Sequence, residues 1–137
     1  MTGTFLQKSI YLKATPEQVW AYLTEPAKLS IWFHKPKAAL VEGEYEMFGA
    51  ESGNKLMWGE VLLAEPYMRL EYTFTIAPMG GAVSTVRWQL EEVAGGTRLT
   101  LNHEGLPQGK DAFGLILALD KGWDDHLARM RASAHGD

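Results

Sequence analysis

No cysteine occurs in the 137 residues, which excludes a disulfide framework and any thiolate metal site. No run approaches the roughly 18 uninterrupted apolar residues that a membrane-spanning helix needs, so no membrane span is expected. Positive charge is not in excess: 13 Lys and Arg stand against 17 Asp and Glu, a formal net charge of −4. The basic residues are scattered, so electrostatic attraction to nucleic acid or to an anionic bilayer is not expected. The opening MTGTFLQKSIYLKAT lacks a basic start followed by an apolar run and does not read as a signal peptide. These absences together make the cytoplasm the expected location.

Apolar residues make up 46% and charged residues 22%, the balance of a soluble globular protein, and the length fits one domain over residues 1–137. The unusual feature is aromatic: five Trp stand beside five Tyr and five Phe. Aromatic side chains supply large buried area and often line apolar ligand pockets.

Residues 5–13 read as a first strand, with Ile10 and Leu12 alternating with polar neighbours. Thr15, Pro16 and Gln18 then form a helix start, with Thr15 as the cap, Pro16 at the first helical position and Gln18 completing a capping box. Glu25-Pro26 ends that helix, because the residue before proline avoids helical dihedrals. Residues 29–33 predict a second short helix. Extended runs follow at 38–41, 44–48, 56–63, 69–76, 83–92 and 97–104, separated by turn residues such as Gly53-Asn54 and Gly95-Gly96. Residues 106–111 form a Pro/Gly loop, and 113–134 one long helix. Strand, two short helices, about six strands and a long helix make an α+β arrangement with a cavity expected between sheet and helix.

GWDDHLARMR (122–131) sets two carboxylates beside an imidazole and invites a metal-site reading. At ~100° per residue, however, Leu119, Trp123, Leu127 and Met130 fall on one stripe, and Asp124 and Asp125 turn away from it. Adjacent helical residues cannot converge on one ion, so the acids are expected to face water, with Asp125 able to pair weakly with Arg129. His126 lies at the stripe's margin, either packed at the core's edge or making a polar contact in a pocket. Gly122 costs a helix ~1 kcal/mol relative to Ala, a cost explained by close packing against a strand, by room left by the missing side chain, or by simple tolerance. No Gly-rich phosphate loop, nucleophile elbow or zinc-helix motif is present, and neither a cofactor nor a metal is expected.

Four stretches carry a resemblance: ATPEQVWAYLTEPAKLSIWF (14–33), GEVLLAEPYMRLEYTF (59–74), VRWQLEEVAGGTRLTLNHEG (86–105) and GWDDHLARM (122–130). With them the chain resembles the START-like (SRPBCC), helix-grip superfamily of polyketide cyclase/dehydrase and lipid-transport proteins. Within it, the chain is similar to the family of the activator of heat-shock-protein-90 ATPase, in its short bacterial form. The resemblance implies a seven-stranded antiparallel sheet wrapped on a C-terminal helix, with a cavity between them. It implies a binding protein more often than an enzyme, and no catalytic residue is carried over. The eukaryotic co-chaperone's additional N-terminal domain with its Asn-Trp-rich motif has no counterpart in these residues.

Strand alternation nominates the residues of a ligand site. Tyr72 and Phe74 share a face; so do Val86, Trp88 and Leu90, and again Leu99, Leu101 and His103. Tyr45 and Met47 point inward from a neighbouring strand, while Trp58 is ambiguous. Trp32 and Phe33 end the second short helix, where the resemblance places a cavity mouth. Leu119, Trp123, His126 and Leu127 come from the long helix. Taken singly, each aromatic reads as core packing; together they point to a ligand-sized space. His103 reads either as a satisfied core histidine or as an orienting hydrogen-bond partner. Three functions stand open: binding of an apolar or aromatic small molecule, a co-chaperone-like protein-interaction module, and a cyclase- or hydrolase-type enzyme working in the same cavity.

Overall fold

Seven strands and three α-helices make up the computed structural model, which describes residues 4–49 and 51–136. Strand β1 (Leu6–Leu12) leads into helices α1 (Pro16–Thr24) and α2 (Pro26–Trp32). Strands β2 (Lys35–Pro36), β3 (Gly43–Phe48), β4 (Lys55–Glu65), β5 (Arg69–Phe74), β6 (Ser84–Val93) and β7 (Gly96–Glu104) follow, and helix α3 (Phe113–Ala134) ends the fold. The strands form one antiparallel sheet in the order β1-β7-β6-β5-β4-β3-β2. The sheet grips α3, which is the helix-grip arrangement.

Local chemistry accounts for the element starts. Thr15 has extended backbone and its side chain accepts from the Gln18 N–H, while the Gln18 side chain accepts from the Thr15 N–H, a closed capping box. Thr15→Ala is expected to cost about 1 kcal/mol, seen as a lower urea midpoint with an unchanged m-value. Pro26 does two things. It ends α1 at Glu25, and it then occupies the first position of α2, so α2 starts three residues earlier than residues 29–33 suggested.

A second difference concerns residues 38–41. They form no strand; only Leu40 turns inward, with its N–H donating to the Thr24 carbonyl at 2.9 Å. Ala38, Ala39 and Val41 face water, so no alternating pair exists to anchor a strand there. The first of the six strands after the helices is instead Lys35–Pro36, with proline on the sheet's edge, where a missing N–H is tolerated. Strand β5 also stops at Phe74 rather than at Ile76.

The long helix keeps its expected limits and stripe. Trp123, Leu127 and Met130 are buried, with Ile116 and the half-buried Leu119 extending the face. Asp124 and Asp125 are exposed, and their ion-pair partners differ from the Arg129 that the sequence offered. Asp125 pairs with Lys121 at 2.7 Å, not with Arg129. Asp120 and Asp124 both reach Lys8 of β1, at 2.6 and 2.9 Å, and tie the helix to that strand.

Candidate functional site

A cavity of about 450 Å³ lies between the end of α2, the end of β5 and the middle of α3. Its size suits a small organic molecule. Phe33, Phe74 and Trp123 form its aromatic walls; Ile76, Pro78 and Leu119 add aliphatic surface. Leu115, Ala118 and Gly122 complete the helix side, and His34 and His126 are its polar members. A methyl group built on Gly122 would meet nothing within 4 Å, so this glycine leaves open room beside the indole rather than admitting a close neighbour.

The walls are held by aromatic packing. Phe33 stacks on Trp123 with ring centroids 5.3 Å apart, and on Trp32 at 5.0 Å. Trp88 meets Trp123 and Trp32 edge to face at 5.6 and 5.9 Å. A buried indole N–H needs an acceptor, and each has one. Trp32 donates to the Tyr22 carbonyl at 2.8 Å, Trp88 to the Tyr72 hydroxyl at 2.9 Å, and Trp123 to His103 Nδ1 at 3.0 Å.

That last bond fixes the state of His103. Because Nδ1 accepts from the indole, the proton of the neutral ring sits on Nε2, which donates to Ser84 Oγ at 2.8 Å. The Ser84 hydroxyl in turn donates to the Phe74 carbonyl at 2.9 Å. The chain is saturated, and an imidazolium would set an N–H against the Trp123 N–H. Burial pushes His103 down to about 4. His103 is fully buried behind Trp123 and does not line the cavity.

The nominated residues therefore separate into three groups. Phe33, Phe74, Leu119, Trp123 and His126 line the cavity. Trp32, Trp88, Leu101, His103 and Leu127 lie in the core behind it, as do Met47 and Tyr72. Tyr45 and Trp58 border a different space, a furrow of about 780 Å³ along β3, β4 and residues 36–41. Its rim carries exposed Lys37, Glu44, Glu46 and Glu60, so water fills it readily. Trp58 is half-buried there with Lys55 Nζ 5.1 Å above its ring, on the sheet face opposite Met57. Burial raises the phenols of Tyr45 and Tyr72 well above their ordinary range.

Alternation names the inward face of a strand but not what covers that face. Five cavity residues outside the nominated set had some signal: Ile76 shares the Phe74 face, Leu115 extends the helix stripe, Gly122 interrupts the helix, and Ala118 and Pro78 flank these positions. His34 sits in the short link between α2 and β2, where no period exists to reveal it.

Among the described residues, no three His, Asp or Glu side chains are grouped as a metal site requires. No helix there is long and apolar enough to cross a membrane.

Similar proteins agree with this architecture. Protein MLL2253 from Mesorhizobium loti superimposes with a TM-score of 0.79 at 24% identity, over 93% of this chain and 94% of that one. CalU16 from Micromonospora echinospora gives 0.79 at 26% identity, over 98% and 68%. The subunit of the Aha1 dimer from Colwellia psychrerythraea gives 0.76 at 19% identity, over 96% of each. No curated protein is significantly similar in sequence. The family pattern described as activator of Hsp90 ATPase homolog 1-like protein matches residues 13–134. The chain belongs to that family.

Proposed function

We propose that this protein binds an apolar or aromatic small molecule in the cavity between Phe74, Phe33 and Trp123. The observation that carries the reading is the open space over Gly122, walled by aromatic rings and held open at a cost in helix propensity. An enzyme in the same cavity would need a nucleophile or an acid–base pair on its lining. The lining offers two imidazoles as its only titratable groups and no carboxylate, hydroxyl or amine nucleophile; the rest of the wall is apolar, which favours binding.

Filling the space tests the proposal. Gly122→Leu is expected to fold with stability unchanged or raised by up to about 1 kcal/mol, because glycine is disfavoured by about that much inside a helix. The same variant is expected to lose binding of N-phenylnaphthylamine, a neutral apolar fluorophore, measured by its emission and by quenching of Trp fluorescence. Equal binding by the wild-type protein and by Gly122→Leu would place the probe elsewhere and refute the proposal.

A further inference from the structure

The polar end of the cavity has its own chemistry. His34 and His126 lie with ring centroids 5.6 Å apart and planes at 82°, both half-buried, and both lining the cavity. His126 Nδ1 is 2.9 Å from the carbonyl oxygen of Trp32, the last residue of α2. The closing carbonyls of a helix lack internal partners, and this one cannot move, so Nδ1–H donates to it. Nε2 of His126 then has no hydrogen-bond partner among the described residues, and is not sealed off from solvent. Arg129 Nη2 stands 2.6 Å from the same Nδ1. A guanidinium can only donate, and a protonated Nδ1 cannot accept. Arg129 therefore gains by turning to any better acceptor offered nearby.

Around these groups the charges are unbalanced. Arg129 has no carboxylate within ion-pair distance among the described residues; Asp125, one turn away, is paired with Lys121 and attracts Arg129 and His126 only from a distance. The sheet side of the cavity, Phe74, Ile76 and Pro78, brings no titratable group. His103 faces the opposite side of Trp123 and is committed to Ser84. His34 hydrogen-bonds the backbone of Phe33 and stacks on its ring at 4.4 Å, with His126 and Arg129 as its charged neighbours.

We infer that the cavity's occupant is an apolar or aromatic carboxylic acid, its carboxylate received by His126 and His34 with Arg129 alongside. This rests on the binding proposal above and names its ligand class. A carboxylate only accepts, so it fits once His126 Nε2 is protonated: one oxygen then takes that N–H, the other is open to the Arg129 guanidinium, and the anion adds negative charge beside both. In the free protein, burial and the positive charge of its neighbours hold His34 down at about 4, and burial lowers His126 too. A bound anion reverses the charge part of that balance and raises both imidazoles. Binding then takes up a proton from solvent, which becomes the shared proton of an imidazolium–carboxylate pair.

The test compares naphthoate with naphthamide, its neutral near-isostere, by displacement of N-phenylnaphthylamine from the full chain between about pH 6 and about pH 8. Naphthoate affinity is expected to rise as pH falls, by up to about tenfold per pH unit for one linked proton, while naphthamide affinity stays flat. Calorimetry in two buffers of different ionisation enthalpy should report proton uptake with naphthoate only. His126→Gln is expected to flatten the naphthoate profile, because the amide cannot take up the linked proton. Equal, pH-independent affinity for the two compounds would overturn the carboxylate inference and leave the binding proposal standing. Displacement by neither would overturn the carboxylate inference, and failure of N-phenylnaphthylamine itself to bind would overturn both. The wild-type comparison needs no variant to fold.

Discussion

Trp123→Ala is expected to lose about 3–5 kcal/mol of folding stability. The indole is 2% exposed and touches rings from the residue that follows α2 and from three strands: Phe33, Phe74, Trp88 and His103. Truncation removes that packing and merges its volume with the cavity, so little can collapse to refill it. It also leaves His103 Nδ1 without its donor, in a site no solvent reaches. Trp123→Phe separates the two contributions. It keeps most of the ring contact and loses the N–H, so a cost of about 1–3 kcal/mol is expected from the stranded acceptor. Urea unfolding of the two variants beside the wild-type protein measures both. A Trp123→Ala protein within about 1 kcal/mol of wild type would mean that the indole is not packed as described.

Acid should weaken the fold through His103. The folded ring is held at about 4, against an ordinary value of 6.5. Between these values the unfolded chain binds the proton and the folded protein does not, so stability falls as pH falls. The contribution is complete above about pH 6.5 and has been lost by about pH 4, a total of about 3 kcal/mol at 1.36 kcal/mol per pH unit. His103→Gln is the informative control. Its carbonyl can accept from Trp123 and its amide can donate to Ser84, so the bonds persist without a titrating group. Urea midpoints measured across this range should show a slope shallower by up to about one proton in His103→Gln than in wild type. Identical slopes would show that His103 titrates normally in the folded state.

Where the fold was legible, local physics and tertiary packing asked for the same thing. Strand β7 alternates buried and half-buried residues without interruption, and Leu99, Leu101 and His103 announced that face in the sequence. Thr15, Pro16 and Gln18 specified the start of α1 without help from elsewhere. The stripe of α3 put Trp123 inward and the two Asp outward. Legibility ended where partners were distant in sequence. Lys8 and Asp120 are 112 positions apart, so no helical spacing could pair them; for Asp125 two cations stand at i−4 and i+4, and spacing alone does not choose Lys121 over the weaker Arg129. The cavity shows the same limit. Its walls come from three elements, and whether Trp88 or Phe74 reaches the open space depends on how far each lies from α3. Trp88 was nominated and is buried; His34, with no periodic context, was not nominated and lines the wall.

The bonds from Trp123 through His103 and Ser84 to the Phe74 carbonyl begin and end on opposite sides of the same enclosure. They act as a tie-rod: the gauge of the chamber is set by side chains on α3, β7 and β6 and by a backbone oxygen on β5, not by surface loops. Substitution at the untethered positions, Phe33, Ile76, Leu115 and Gly122, would therefore reshape the space without slackening the span.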